Sequence, residues 1–366
     1  MGFPSSISFT VTNACNLRCR MCGQWSEEGY IRTGGLRGEL RLADWKRVID
    51  ELADHGISSV LLRGGEVFLY PDILPLLEHL RGKGMFVSID TNGTQLARFA
   101  ADLVRIGNMH LTVSVDGPAE IHDTVRGVKG AFGRVREGLA ELAGAEQRSG
   151  TALSKSITFT IGPDSYRGLG RMPEVARSLG IGTICIVAYY FVPSAIGEKY
   201  EAELAENFEC PAFSWRGFHR EESGVEVDLF LKELRAYRGS LGTTLDYPYF
   251  PMSEDEYRTW FTDATTPVGP TACGNVERLI DIQPTGEANF CVDFPDYSIG
   301  SVRESTIAEI WNGPRAEAFR EYRRRQPLAV CNRCGAKYMS GIREALPPPA
   351  AEEPGRSAAA HPDGGK

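Results

Sequence analysis

The chain has 366 residues, 42% of them hydrophobic and 24% charged, with a formal charge of −8; it is long enough for one large core or a core with an appendage. Net acidity argues against a nucleic-acid partner, and no run of about 20 apolar residues offers a membrane span. Residues 1–11 lack a basic segment followed by an apolar run, so no export signal is read; nine cysteines in a reduced, cytoplasmic setting then point to metal or catalysis rather than disulfides.

From the N-terminus, β-rich runs alternate with helical ones. Residues 7–11 predict a strand, with 15–22 in the loop after it. Residues 44–55 predict a helix with Trp45, Val48, Ile49 and Leu52 on one face and Gly56 at its end. Strands are expected at 59–62, 86–90, 110–115, 156–160 and 183–188, and helices at 73–81, 95–106, 132–144 and 172–179. Six strands alternating with helices imply parallel pairing through right-handed crossovers, and six units suit an open partial barrel (1–190) of the α/β class.

The alternation then stops. Residues 191–270 read as an aromatic, mixed connector with one clear helix near 227–237, able to cover the barrel mouth. Residues 271–345 change character again: 279–282, the turn Pro284-Thr285-Gly286 and 288–292 predict a hairpin, followed by short helices near 306–311 and 314–323. Arg323, Arg324 and Arg325 form the only compact basic run and read as a solvated helix face. The Pro-, Ala- and Gly-rich tail, 346–366, is expected to be disordered.

Cys15, Cys19 and Cys22 form a C-x3-C-x2-C motif. Thiolates are the usual ligands of iron–sulfur clusters, and three of them on a four-iron cube leave one iron open, as an open position marks a catalytic zinc site. The loop follows the first strand, on the face where βα barrels keep their chemistry. The competing reading is three unrelated buried thiols or part of a zinc site; no His or fourth Cys lies near to complete one.

On these residues the chain resembles the radical S-adenosylmethionine (SAM) superfamily, over roughly residues 5–190. The resemblance implies an open (βα)6 TIM-like barrel and an open iron that binds the amino nitrogen and carboxylate of SAM. It also implies reductive C–S cleavage to a 5′-deoxyadenosyl radical that abstracts a hydrogen atom from substrate. Gly64-Gly65-Glu66 resembles the family's GGE segment, expected at the SAM amino group, with Val67 where the family often has Pro; two glycines let backbone approach a ligand. Thr91, Asn92, Ser114 and Asp116 end the third and fourth strands, where similar enzymes contact SAM, although each alone reads as a turn or cap residue. Met21 occupies the place of an adenine-stacking aromatic, a role a thioether can fill.

Residues 114–127, with Ser114, Asp116-Gly117-Pro118, His122-Asp123 and Arg126-Gly127, resemble the branch that carries SPASM or twitch extensions. That branch implies an auxiliary cluster, and Cys273, Cys291, Cys331 and Cys334 are the candidate ligands, with Gly286 five residues before the hairpin cysteine. No cysteine follows Cys334, which suits a small α+β twitch domain with one fully ligated auxiliary [4Fe–4S] cluster. An all-cysteine structural zinc site is the competing reading. The expected cofactors are therefore two [4Fe–4S] clusters and SAM, with a reductant such as flavodoxin or ferredoxin as partner.

Cys185 and Cys210 belong to neither set. Cys185, among Ile184, Ile186 and Val187, reads as a small buried hydrophobe. Cys210, in the connector, is the better candidate to return a hydrogen atom to a substrate radical, as in radical SAM epimerases. The single-auxiliary-cluster pattern is similar to that of radical SAM dehydrogenases of aminocyclitols. The expectation is epimerisation of a small molecule (a carbohydrate, aminocyclitol or nucleoside of antibiotic or other natural-product biosynthesis), against two-electron dehydrogenation with the auxiliary cluster as acceptor, or ribosomal-peptide modification. An iron–sulfur electron carrier or a zinc-bound regulatory protein is the non-enzyme alternative.

Overall fold

A computed structural model describes residues 2–34, 38–247, 251–270 and 272–335. The tail expected to be disordered, 346–366, and the end of the expected twitch domain, 336–345, lie outside the described residues.

Eight strands of one sheet are parallel. β1 (Ser6–Thr10), β2 (Ser59–Arg63), β3 (Phe86–Thr91), β4 (Met109–Ser114), β5 (Ser154–Ile161) and β6 (Thr183–Ala188) pair in chain order, as expected for six βα units. β7 (Leu245–Asp246) adds to β6, and β8 (Leu279–Ile282) pairs with β1, Ser8 opposite Asp281. β9 (Glu287–Asn289) and β10 (Gly300–Ser301) complete the hairpin edge antiparallel. The strand order runs from β10 to β7 without closing, which makes this an open, partial barrel. The C-terminal hairpin thus continues the barrel sheet.

Alternation along each strand explains the layering. Val87, Ile89, Leu111 and Val113 are buried, while Ser88, Asp90, His110 and Thr112, on the opposite face, are half-buried. Helices cover the apolar face. Leu42–Asp54 buries Trp45, Val48, Ile49 and Leu52, and the Trp45 ring packs 4.8 Å from that of Phe9; each such buried side chain contributes about 1.5–3 kcal/mol.

The connector is more ordered than its sequence suggests. Beside the expected helix, at Val227–Gly239, it forms helices Ser194–Phe208 and Glu254–Thr262 and a short 3-10 turn, Ser214–Phe218. Ser194–Phe208 buries only Gly197, Tyr200 and Leu204, too sparse a stripe for its periodicity to stand out. None of the described helices is long and apolar enough to cross a membrane.

Candidate functional site: two cysteine sets facing one cavity

The loop after β1 is held on four sides. Glu39 accepts from Thr12 Oγ1 at 2.6 Å and from the Asn13 amide at 3.1 Å. The amides of Gly65 and Glu66 donate to the carbonyls of Thr12 and Ala14, both at 2.8 Å. Cβ atoms on Gly64 and Gly65 would lie 2.4 Å from the Thr12 oxygen and 2.3 Å from the Ala14 oxygen. The two glycines are thus required by backbone-to-backbone approach, before any ligand is considered. On the far side, the Arg18 and Arg20 amides donate to the carbonyls of Arg126 and Val125, the end of helix Ala119–Arg126.

The polar residues at the strand ends brace this loop. Glu66 is buried; its carboxylate accepts from Thr91 Oγ1 at 2.7 Å, the Asn92 amide at 2.7 Å and the Phe68 amide at 3.2 Å. Asn92 Nδ2 donates to Asn16 Oδ1 at 2.9 Å, and Asn16 Nδ2 donates to Thr94 Oγ1 at 2.8 Å. Asp116, fully buried, accepts from Arg126 Nε at 2.5 Å and from the Thr160 amide at 3.2 Å. These side chains fasten the cysteine loop to the barrel rim. Of the residues expected at SAM, Met21 and Gly64 line the cavity described below, while Glu66, Thr91, Asn92 and Asp116 spend their side-chain hydrogen bonds within the protein.

The three sulfurs have the surroundings of cluster ligands. Cys15 Sγ accepts from the Leu17 amide at 3.4 Å, Cys22 Sγ from the Trp25 amide at 3.4 Å, and Cys19 Sγ from Arg126 Nη1 at 3.7 Å. Burial pushes the Cys15 thiol up to about 11 and Cys19 up to about 12, and raises Cys22 as well. One buried and two half-buried cysteines whose sulfurs are supplied with N–H donors, yet too costly to ionise alone, fit a site whose missing positive charge comes from iron. Among the described residues no three His, Cys, Asp or Glu side chains converge on a single-ion site; what fits a cluster is the donor chemistry.

The second set is assembled by the connector. Cys291 follows β9, its amide bonded to Asn289 Oδ1 and its sulfur accepting from the Phe294 amide at 3.4 Å. Cys331 lies within a 3-10 turn at Ala329–Arg333 and Cys334 follows it; the turn is pinned by Glu203 of one connector helix at the Ala329 amide (2.8 Å). Arg333 donates to the carbonyls of Trp260 and Thr266 beside another. Buried Asp296 accepts from Tyr200 Oη at 2.8 Å and the amides of Phe213 and Ser214 at 2.8 and 2.9 Å. Arg323, expected on a solvated face, is instead buried, with its guanidinium hydrogen-bonded to Cys273 and close to Cys331 and Cys334. The helix turns the first arginine of the run inward, on the side where Cys273 lies.

Between the sets lies a cavity of about 230 Å³. Its walls include Cys22 from the first set, Arg63 and Gly64 from the end of β2, Tyr190 after β6, Phe218 of the connector, and Asp293, two residues past Cys291. Burial raises the Asp293 carboxyl, opposed by Arg63 and by a hydrogen bond with Tyr190. Arg63, Tyr190 and Asp293 had no motif to announce them, although Arg63 ends a strand at the rim that holds the cysteine loop.

Neither spare thiol lines this cavity. Cys210 Sγ donates to the Asp296 carbonyl at 3.0 Å, behind the 3-10 turn. Cys185 is buried within β6, two residues short of the cavity-lining Val187. Cys210, expected as a candidate hydrogen donor, thus stands outside the walls of this cavity, with its sulfur on the Asp296 carbonyl.

Comparison with known proteins agrees with this architecture. The radical SAM superfamily model matches residues 9–165, and the SPASM iron–sulfur cluster-binding domain model matches residues 273–335, which contain all four second-set cysteines. Fe-coproporphyrin III synthase of Methanosarcina barkeri is 27% identical over 90% of this chain and 79% of its own. PqqA peptide cyclase of Granulibacter bethesdensis is 24% identical over 90% and 80%. The crystal structure of Streptococcus suis SuiB bound to S-adenosylmethionine shares the fold, with a TM-score of 0.60 at 16% identity over 91% of this chain and 72% of that one. With the cysteine loop, the GGE brace and the C-terminal cysteine set in one fold, the chain belongs to the SPASM/twitch branch of the radical SAM superfamily, whose cofactors are S-adenosylmethionine and [4Fe–4S] clusters.

Proposed function

We propose that this radical SAM enzyme carries out a two-electron oxidation of a substrate held between its two cysteine sets. The carrying observation is the cavity itself, with Cys22 on one wall and Asp293, adjoining Cys291, on another. Cys15, Cys19 and Cys22 would hold the SAM-binding cluster, and Cys273, Cys291, Cys331 and Cys334 a fully ligated auxiliary one. Bound there, these groups supply one-electron chemistry: hydrogen-atom abstraction from an unactivated C–H bond and uptake of a second electron.

The chain's own residues do the rest. Met21 and Gly64 form the SAM side of the cavity, and the Glu66–Thr91–Asn92–Asn16 network keeps the cysteine loop in register with it. Tyr190 and Arg63 hold Asp293 at the wall facing the second set, where a carboxylate could accept the proton released as substrate is oxidised. Phe218 brings the connector into the cavity wall. A flavodoxin- or ferredoxin-type protein would supply the initiating electron.

Thiol-quenched epimerisation, favoured by the presence of Cys210, has neither spare thiol in the walls of this cavity to support it. The relatives' names, a porphyrin synthase and a peptide cyclase, span small-molecule and peptide substrates.

Reconstituted protein with SAM and dithionite should form 5′-deoxyadenosine, and with candidate small molecules or peptides in deuterated water the product should be two hydrogens lighter than substrate. A product of unchanged connectivity carrying solvent deuterium on carbon would replace oxidation with epimerisation.

A further inference from the structure

Two buried arginines touch the two cysteine sets under opposite electrostatic conditions. At the first set, Arg126 donates through Nη1 to Cys19 Sγ and through Nε to Asp116, and the side chains of this pair are 9% and 0% exposed. The guanidinium is neutralised on the spot, so the pair brings no net charge to the loop. At the second set, Arg323 donates through Nη1 to the Gln326 carbonyl at 2.9 Å and otherwise faces Cys331, Cys273 and Cys334. No carboxylate among the described residues pairs with it; the acids on that surface, Glu277 and Glu317, pair with Arg324 instead. The carboxylate near Cys291, Asp293, is shared with Arg63 and Tyr190.

A four-thiolate iron–sulfur cluster gains negative charge when it takes an electron. A fixed cation in a low-dielectric setting stabilises the reduced form more than the oxidised one, and net charge and hydrogen bonds to sulfur are the protein's main levers on cluster potential. A neutral ion pair exerts much less of this pull. We infer that Arg323 is a positioning residue that raises the reduction potential of the auxiliary cluster. A higher potential there favours an electron leaving the cavity through the second set. The inference deepens the proposed oxidation and rests on its assignment of Cys273, Cys291, Cys331 and Cys334 as ligands.

The test is a potentiometric titration of anaerobic, reconstituted full-length protein, followed by electron paramagnetic resonance with dithionite as one-electron donor. The Cys15/Cys19/Cys22→Ala background leaves only the second cluster to titrate. Arg323→Gln should move its midpoint to more negative potential with iron content unchanged. Arg323→Lys, which keeps the charge, should stay nearer the parent, and Arg324→Gln, which removes an exposed charge, should match it. Arg323→Met, which removes the charge and keeps an apolar stem of similar reach, should lower the midpoint in the same sense, deciding the matter even if Arg323→Gln fails to hold iron. An unchanged midpoint in every iron-loaded variant would overturn the inference. Because no substrate is present, that outcome is separate from failure of the oxidation reading, which product analysis decides, and from loss of the ligand assignment, which iron analysis decides.

Discussion

The carbonyl oxygen of Arg18 stands 2.4 Å from where a Cβ would project on Gly127, a residue at φ +68°. Arg18 lies between Cys15 and Cys19 and Gly127 closes helix Ala119–Arg126, so the cysteine loop sits against that helix end with no room for a methyl group.

Gly127→Ala should accordingly disturb the first cysteine set specifically. The left-handed conformation alone costs an alanine about 1–2 kcal/mol, and the contact with Arg18 adds to it. The expected outcome is iron loss confined to the N-terminal site and loss of 5′-deoxyadenosine formation, while electron paramagnetic resonance still detects the auxiliary cluster.

Asp116→Asn leaves the Arg126 charge buried without its partner and weakens the acceptor of the Thr160 amide. Breaking a buried pair from one side costs about 3–5 kcal/mol. A fall of several degrees in anaerobic melting temperature is expected; a variant that melts with the parent would show that water or another group compensates Arg126.

His122 gives stability a pH dependence. Burial, then the neighbouring Arg126 charge, holds its pKa down to about 4 from 6.5, so the unfolded chain takes up a proton that the folded chain refuses. This contribution is complete above pH 6.5 and is lost as pH falls from 6.5 toward 4, amounting to about 2 kcal/mol between pH 7.5 and 5. Urea unfolding across that range should show the decline, and His122→Gln should flatten it.

Cys210→Ala should leave turnover within about twofold of the parent, since its sulfur bonds the Asp296 carbonyl outside the cavity. A loss above about tenfold with both clusters intact would restore the thiol as a hydrogen donor.

What could be read without the fold was whatever is encoded locally. Cys15, Cys19 and Cys22 sit within eight residues on a loop that follows a strand, so spacing alone conveys the open-iron logic. The six βα units carry strong periodicity because one face of each element is buried. The four later cysteines were recoverable by count and by the hairpin around Gly286.

Tertiary structure decided the rest, for the reason that polar side chains acquire their roles from partners far along the chain. Glu66 braces rather than reaches outward because Thr91 and Asn92 arrive beside it 25 and 26 residues later. Helix Ser194–Phe208 was hidden because it buries few residues, yet through Glu203 and Tyr200 it holds the second cysteine set. Arg323 looked like solvated charge until Cys273 was placed against it, and that Cys210 bonds the Asp296 carbonyl outside the cavity is visible only in the fold. The sequence alone determined the kind of chemistry; the long-range packing of connector and hairpin decided where substrate meets it.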